Sequence, residues 1–415
     1  MTTDAPRAAF IDPPDDRAVA RPGLTGLVSD VISRVRGGDL GSLPVIVGLI
    51  LIWIVFQCLN PNFLSSTNLV NLTMQSAAVG TISIGVVLVL LLGELDLSVG
   101  SVSGLAAAIL AVGFVQLALP LPLVIAAALA SGALAGLMYG LLRTAFGVPS
   151  FIITLAGLLG FLGLQLGVLG QTGSINIPFD SWIVQFGQQW FLPAWASYVL
   201  LLVGVGLFAW NELAHAVRRR EAGLTATSTR VIVARSAGLV VALGVATWYL
   251  NLSRGVGVMF AVFLGLVVVM HFMLTRTRWG RSVYAVGGNV EAARRAGIRV
   301  NRVYISVFVL CSVFAALGGV MAAARLAAAN QGSGGGDTNL NAIAAAVIGG
   351  TSLFGGRGSA FSAVLGILVI MSITSGLNIL NLDSSVRYVT TGAVLLLAVV
   401  IDSLSRRSRA ASGRA

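Results

Sequence analysis

Lysine is absent from this chain: all 26 basic residues are arginine. A Walker A phosphate loop needs a lysine to reach the nucleotide phosphates. A standard P-loop ATP site is therefore excluded, and so is lysine Schiff-base chemistry. Cysteine is nearly absent. Cys58 and Cys311 both stand inside apolar runs with no Cys-x-x-Cys spacing, so neither a disulfide nor a metal role is expected of them. Histidine occurs only as His215 and His271, each alone at the end of an apolar run, so no metal centre is expected. Charge of either sign is scarce. Charged residues make up 10% of 415 residues, where soluble domains carry about 25%. That shortfall excludes an ordinary soluble domain.

What fills the chain is apolar. Hydrophobic residues reach 57% and the mean hydropathy is +0.93, which defines a polytopic membrane protein. Apolar runs near 43–59, 69–92, 98–118, 121–142, 150–169, 197–214, 231–250, 256–275, 303–325, 341–355, 359–378 and 386–402 are each read as a crossing. The runs near 98 and 341 are rich in glycine and read as broken or re-entrant. The expected fold is an all-α transmembrane bundle of about 10–12 spans over residues 41–403. The flanks 1–40 and 404–415 are expected to be tails, the first of them disordered (it contains PRAAFIDPPDDRAVARPG), with no cleavable signal peptide.

A net charge of +11 suggests nucleic acid at first sight. The arginines instead sit in short loops between apolar runs, which is the positive-inside pattern, so no nucleic-acid partner is expected. With the N-terminus inside, the cytoplasmic segments hold Arg143, Arg218, Arg219, Arg220, Arg276, Arg278, Arg281, Arg294, Arg295, Arg299 and Arg302 among others. Only Arg254, Arg325 and Arg387 fall outside. Both termini are thereby expected in the cytoplasm. Gly132, Gly136 and Gly140 recur every four residues, and Gly160, Gly163, Gly167 and Gly170 recur similarly. Small residues let helix backbones approach in lipid, so both sets are expected at helix contacts.

Two stretches carry chemistry. In GELDLSVGS, residues 93–101, two carboxylates follow a run apolar enough for lipid. Charge at the bilayer centre costs about 2.5–3.5 kcal/mol on insertion scales, so the helix is expected to break here. Asp96 is placed to satisfy the N–H groups of Ser98 or Val99 at the start of the next helix. A carboxylate there is also of the type that accepts hydrogen bonds from a substrate's hydroxyl groups. In TRTRWGRSVYAVGGNVEAARRAGIRVNRVY, residues 275–304, Asn289 is a good N-cap, Glu291 sits in the first turn and Gly297 follows as a stop. The result is a short capped helix in a cytoplasmic loop, 276–302. It is either a docking knob or a basic loop anchoring two helices. The outer loop 327–341 is a linker or a partner contact. The outer tryptophans Trp182, Trp190 and Trp195 are an interfacial belt or a stacking platform.

GGNVEAARRAGI resembles the coupling-helix loop of the ATP-binding-cassette (ABC) importer permeases for ribose, xylose and related monosaccharides. GELDLSVGS resembles the signature after that family's second helix. FGVPSFIITLAGLLGFLG (146–163) and LNAIAAAVIGGTSLFGGRGS (340–359) resemble two further family segments, and all four stand in family order. Glu94, and the charged stretch NELAHAVRRREAGLTATSTR after residue 210, resemble the xylose-type branch. The resemblance implies a permease subunit, itself not an enzyme, of an importer for a monosaccharide, most closely D-xylose, in the bacterial inner membrane. It implies a homodimer, two ATPase subunits carrying ATP and magnesium, and an extracytoplasmic sugar-binding protein. The implied coupling residues are Gly288, Asn289, Glu291, Ala292, Ala293, Gly297 and Ile298. The implied pathway or helix-break residues are Glu94, Asp96, Ser98, Ser101, Pro149, Ser150, Phe151, Thr154, Gly349, Gly350, Thr351 and Ser352. The alternative is an ion-coupled secondary transporter with Asp96 carrying the ion. A membrane enzyme lacks both a metal set and a base–nucleophile pair.

Overall fold

The computed structural model describes residues 43–223, 226–335 and 337–383, with scattered positions between 385 and 400. The two tails lie outside these residues, as does much of the run 386–402.

Helix α1 spans Leu43–Leu59. Helix α2, Ser66–Leu91, is capped by Ser65, whose hydroxyl accepts the Asn68 N–H at 3.3 Å. Helix α3, Val99–Ala111, runs on through a π-helical turn, Val112–Gln116. Helix α4 is Leu121–Phe146 and α5 is Ser150–Leu169. Strand β1 (Ser174–Asn176) and the short α6 (Trp182–Gln188) follow. Then come α7 (Ala194–Glu221), α8 (Thr229–Asn251) and α9 (Val258–Arg276). The loop helices α10 (Arg278–Gly288) and α11 (Val290–Arg295) lead into α12 (Val300–Leu326). Strand β2 (Ala328–Asn330), α13 (Asp337–Ile348) and α14 (Phe361–Ile379) complete the ordered elements.

Among the described residues nine helices are long and apolar enough to cross a membrane: α2, α3 with its π turn, α4, α5, α7, α8, α9, α12 and α14. The run 341–355 is not one of them. It begins as the 12-residue α13 and ends at Ile348. Gly350 adopts φ +101, with Gly350 N bonded to Val347 O (2.9 Å) and Thr351 N to Ala346 O (3.1 Å). That pair of bonds is a Schellman stop, which needs a left-handed residue and favours glycine. The charged stretch after residue 210 begins as helix. Helix α7 carries it to Glu221, ending on Arg218, Arg219 and Arg220, where a helix C-terminus favours cations. The three-residue strands pair antiparallel, Ser174 opposite Asn330 and Asn176 opposite Ala328, in segments that carry no strand signal of their own.

The chain divides into two compact units. The larger holds the described residues of 43–194 and those from 249 onward, while the described part of the smaller is Trp195–Trp248. In the larger unit α12 is central, packing on α4, α2 and α3. The second half of α2 is apolar on nearly every face, and Leu88, Val89, Leu90 and Leu91 are all buried, as a helix inside a bundle requires. The first glycine set does what its spacing promises. A Cβ on Gly136 would stand 2.3 Å from Phe308 O, and one on Gly132 would stand 2.5 Å from Ser312 O, so α4 and α12 meet backbone to backbone. The second set does not. Gly160, Gly163, Gly167 and Gly170 face open space in this single chain.

Candidate functional site

The helix break follows α2. Gly93 N bonds back to Leu90 O (2.8 Å) and Glu94 N to Val89 O (3.2 Å), closing the last turn. The segment Leu95–Leu97 is then held by hydroxyls from the first turn of α5. Ser150 Oγ accepts Leu95 N–H (3.3 Å) and Thr154 Oγ1 accepts Leu97 N–H (3.1 Å). These bonds satisfy backbone donors that no helix satisfies, which buried peptide groups demand. Asp96 is 2% exposed. Its Oδ1 accepts both the N–H (2.8 Å) and the hydroxyl (2.7 Å) of Ser98, the residue that begins α3. Cys311 of α12 directs its thiol at Oδ2 over 3.7 Å. The carboxylate therefore ties off α3 through a turn bond to Ser98.

Glu94 has a different partner. Its Oε1 receives Arg143 Nη2 (2.8 Å) and Nε (2.9 Å) from the last turn of α4. The Arg143 guanidinium also lies 5.2 Å from the Tyr304 ring centre on α12. The two acids of GELDLSVGS therefore do not both tie off the new helix. Asp96 does so, whereas Glu94 clamps α4 to the break. Arg143, as the basic residue in the last turn of α4, was the available signal for this pair.

The break also meets two other segments. Gly356 N donates to Leu91 O (2.9 Å), and Tyr284 of α10 donates its phenol to Gly358 O (2.9 Å). Burial pushes that phenol's pKa up, which keeps it a donor. A Cβ on Gly287 would sit 1.8 Å from Leu91 O and 2.8 Å from Gly356 N. The end of α2, the end of α10 and the glycine loop after α13 therefore touch through bare backbone.

Helix α11 starts where α10 stops. Asn289 caps it, its Oδ1 accepting Ala292 N–H at 2.9 Å. Gly297 takes φ +82, with Gly297 N on Arg294 O (3.0 Å) and Ile298 N on Ala293 O (3.1 Å), another Schellman stop. Glu291 pairs with Arg294 (3.3 Å) and Arg295 (3.6 Å) on the exposed face. Gly288, Asn289, Glu291, Ala292 and Gly297 are exposed and Ile298 is half-buried. Ala293 is 4% exposed, so it anchors α11 to the bundle and leaves the open face to its neighbours.

Of the expected pathway residues, Glu94, Asp96, Ser98, Ser150 and Thr154 come together at the break. Ser101 is buried two residues into α3, and Gly349, Gly350, Thr351 and Ser352 form the stop of α13. Pro149 precedes α5 as its N-cap residue, and Phe151 points outward, half exposed. Trp182, Trp190 and Trp195 are all exposed.

A polytopic helical bundle with broken helices and a capped helix on one of its loops is the architecture of a membrane permease. The chain belongs to the family described as branched-chain amino acid transport system / permease component, which matches residues 68–399. It is 38% identical to the xylose transport system permease protein of Escherichia coli (strain K12) over 345 residues, covering 83% of this chain and 87% of the relative. The xylose transport system permease protein of Haemophilus influenzae is 35% identical, with 83% and 91% covered. The ribose import permease protein of Escherichia coli (strain K12) is 32% identical, with 86% and 92% covered. No solved structure matches the chain.

Proposed function

We propose that the protein is the permease subunit of an ABC importer for a monosaccharide, D-xylose first, working as a homodimer in the bacterial inner membrane. An extracytoplasmic binding protein delivers the sugar, and a separate ATPase subunit docks on the exposed face of α11 and supplies the energy. Both termini lie in the cytoplasm. The observation that carries this reading is the junction at Gly287. The loop that bears α11 touches the end of α2 and the glycine loop after α13 without an intervening side chain. A push on α11 is delivered straight to the two places where helices are broken. The names of the xylose and ribose relatives support the cargo class.

The test is a pull-down of the tagged chain expressed with its candidate ATPase. The wild type retains the ATPase and Glu291→Arg loses it. Glu291 is exposed and pairs only along its own helix, so this charge reversal leaves the bundle intact. Asp96, a buried carboxylate between α2 and α3, favours one other reading, an ion-coupled transporter. Uptake that collapses with the proton gradient while ATP remains selects that reading.

A further inference from the structure

At the end of the bundle opposite α10 and α11 lies a cavity of about 290 Å³ between α2, α3, α12 and the residues 330–334 and Thr338. Small-molecule pockets begin at roughly this size, about 300 Å³. None of the implied coupling or pathway residues lines it, while Asn330, Gly332, Ser333, Gly334 and Thr338 belong to the outer loop 327–341. Its polar wall is Gln75, Ser103, Arg325, Asn330, Ser333 and Thr338, and among the described residues no acidic one lines it. Arg325 makes no side-chain hydrogen bond or ion pair among the described residues. A cation kept within a membrane bundle faces a wet cavity or a ligand. Arg325, with five N–H donors, lines the space beside the amides of Gln75 and Asn330 and the hydroxyl of Thr338, whereas the Ser103 and Ser333 hydroxyls already donate to Gly100 O and Asn330 Oδ1. Such a wall offers donors in excess, which suits a ligand rich in hydroxyl oxygens, and it repels a cation.

The wall is also preformed. Gln165 of α5 is fully buried, and its amide donates to Ser333 O (2.9 Å) and Asn330 O (3.1 Å), fixing the segment that closes one side. A Cβ on Gly334 would stand 2.1 Å from Gly100 O, so that segment has no slack against α3. A wall set before the ligand arrives avoids the cost of ordering it on binding.

We propose that this cavity is the entry subsite for a neutral, polyhydroxylated cargo, with Gln75, Arg325 and Thr338 as specificity residues that hydrogen-bond its hydroxyl groups. The proposal rests on the sugar-import reading and assigns it a site.

The experiment uses proteoliposomes holding this chain with its ATPase, and binding protein saturated with radiolabelled D-xylose on the binding-protein side. In a Cys58→Ser background, Ala322→Cys places a thiol on the cavity wall. It is expected to react with an impermeant maleimide added from that side, and D-xylose is expected to slow the reaction several-fold. Arg325→Gln and Thr338→Val are expected to retain the ATPase but lower the sugar moved per ATP hydrolysed, by roughly tenfold for Arg325→Gln, as loss of a hydrogen bond to a charged group implies. An unreactive Ala322→Cys, unchanged sugar per ATP in both variants, or faster transport of xylonate than of xylose overturns the subsite. If the wild type moves no sugar, the import reading itself fails. If the wild type transports and the variants match it, only the cavity assignment falls.

Discussion

Glu94 and Asp96 are two positions apart and do different physical work. Asp96 supplies an acceptor to Ser98 N–H inside the bundle. Asp96→Asn keeps that acceptor, so its thermal midpoint in detergent is expected near wild type. Asp96→Ala removes it and is expected to cost about 1–3 kcal/mol, because it strands the buried N–H and hydroxyl of Ser98. Equal losses in the two variants would show that the charge, and not the turn bond, matters. Glu94 instead shares a half-buried pair with Arg143, with side chains 12% and 29% exposed. A double-mutant cycle on Glu94→Gln and Arg143→Gln is expected to show coupling of about 1 kcal/mol, because each single change strands a partner. Additive effects would remove the clamp from the account. The motif pointed to Asp96 through local chemistry, an acid just before a helix start. It was silent on Arg143, which lies 49 positions away in the chain and meets Glu94 only because α4 packs against the break.

Among the described residues helices were legible wherever an apolar run was long, and packing was legible only where one helix spacing met another. Gly136 and Gly163 have the same sequence signature but different surroundings. Alanine at Gly136 must displace Phe308 O from 2.3 Å, whereas alanine at Gly163 meets nothing within 4 Å. Gly136→Ala is therefore expected to lower the thermal midpoint measurably and Gly163→Ala to leave it unchanged or raise it, since alanine favours helix by about 1 kcal/mol over glycine. A loss at Gly163 comparable to that at Gly136 would mean that a second copy covers that face. The short helix α11 was legible to the residue, because caps are local: Asn289 and Gly297 carry their own bonds. The break after α13 was legible in the glycine-rich run near 341, which reads as broken or re-entrant, but the place of the stop was not, because it depends on the left-handed Gly350. Gly350→Ala forces a left-handed alanine, a strain of about 1–2 kcal/mol. It is expected to lower assembled protein in the membrane. Normal assembly would show that the stop is not set by that glycine.

At the scale of the whole molecule the arginine asymmetry and the contacts make one testable geometry. Gly356 bonds to the end of α2 while Gly287 abuts it, which puts the ends of α2, α10 and α13 at one face of the bundle. The β1–β2 pair joins the segments after α5 and α12 at the other. The first face collects Arg143 and the arginines of α10 and α11, so the positive-inside rule assigns it to the cytoplasm. The expected outcome follows for intact cells carrying Cys58→Ser. A thiol introduced by Asp180→Cys, in the segment between β1 and α6, reacts with an impermeant maleimide. One introduced by Arg295→Cys on α11 reacts only after the cells are opened. Both positions are exposed, so the difference reports sidedness and not burial. Labelling at Arg295→Cys in intact cells would invert the molecule. It would then deny an ATPase access to α11, leaving the Gly287 junction without anything on the cytoplasmic side to drive it.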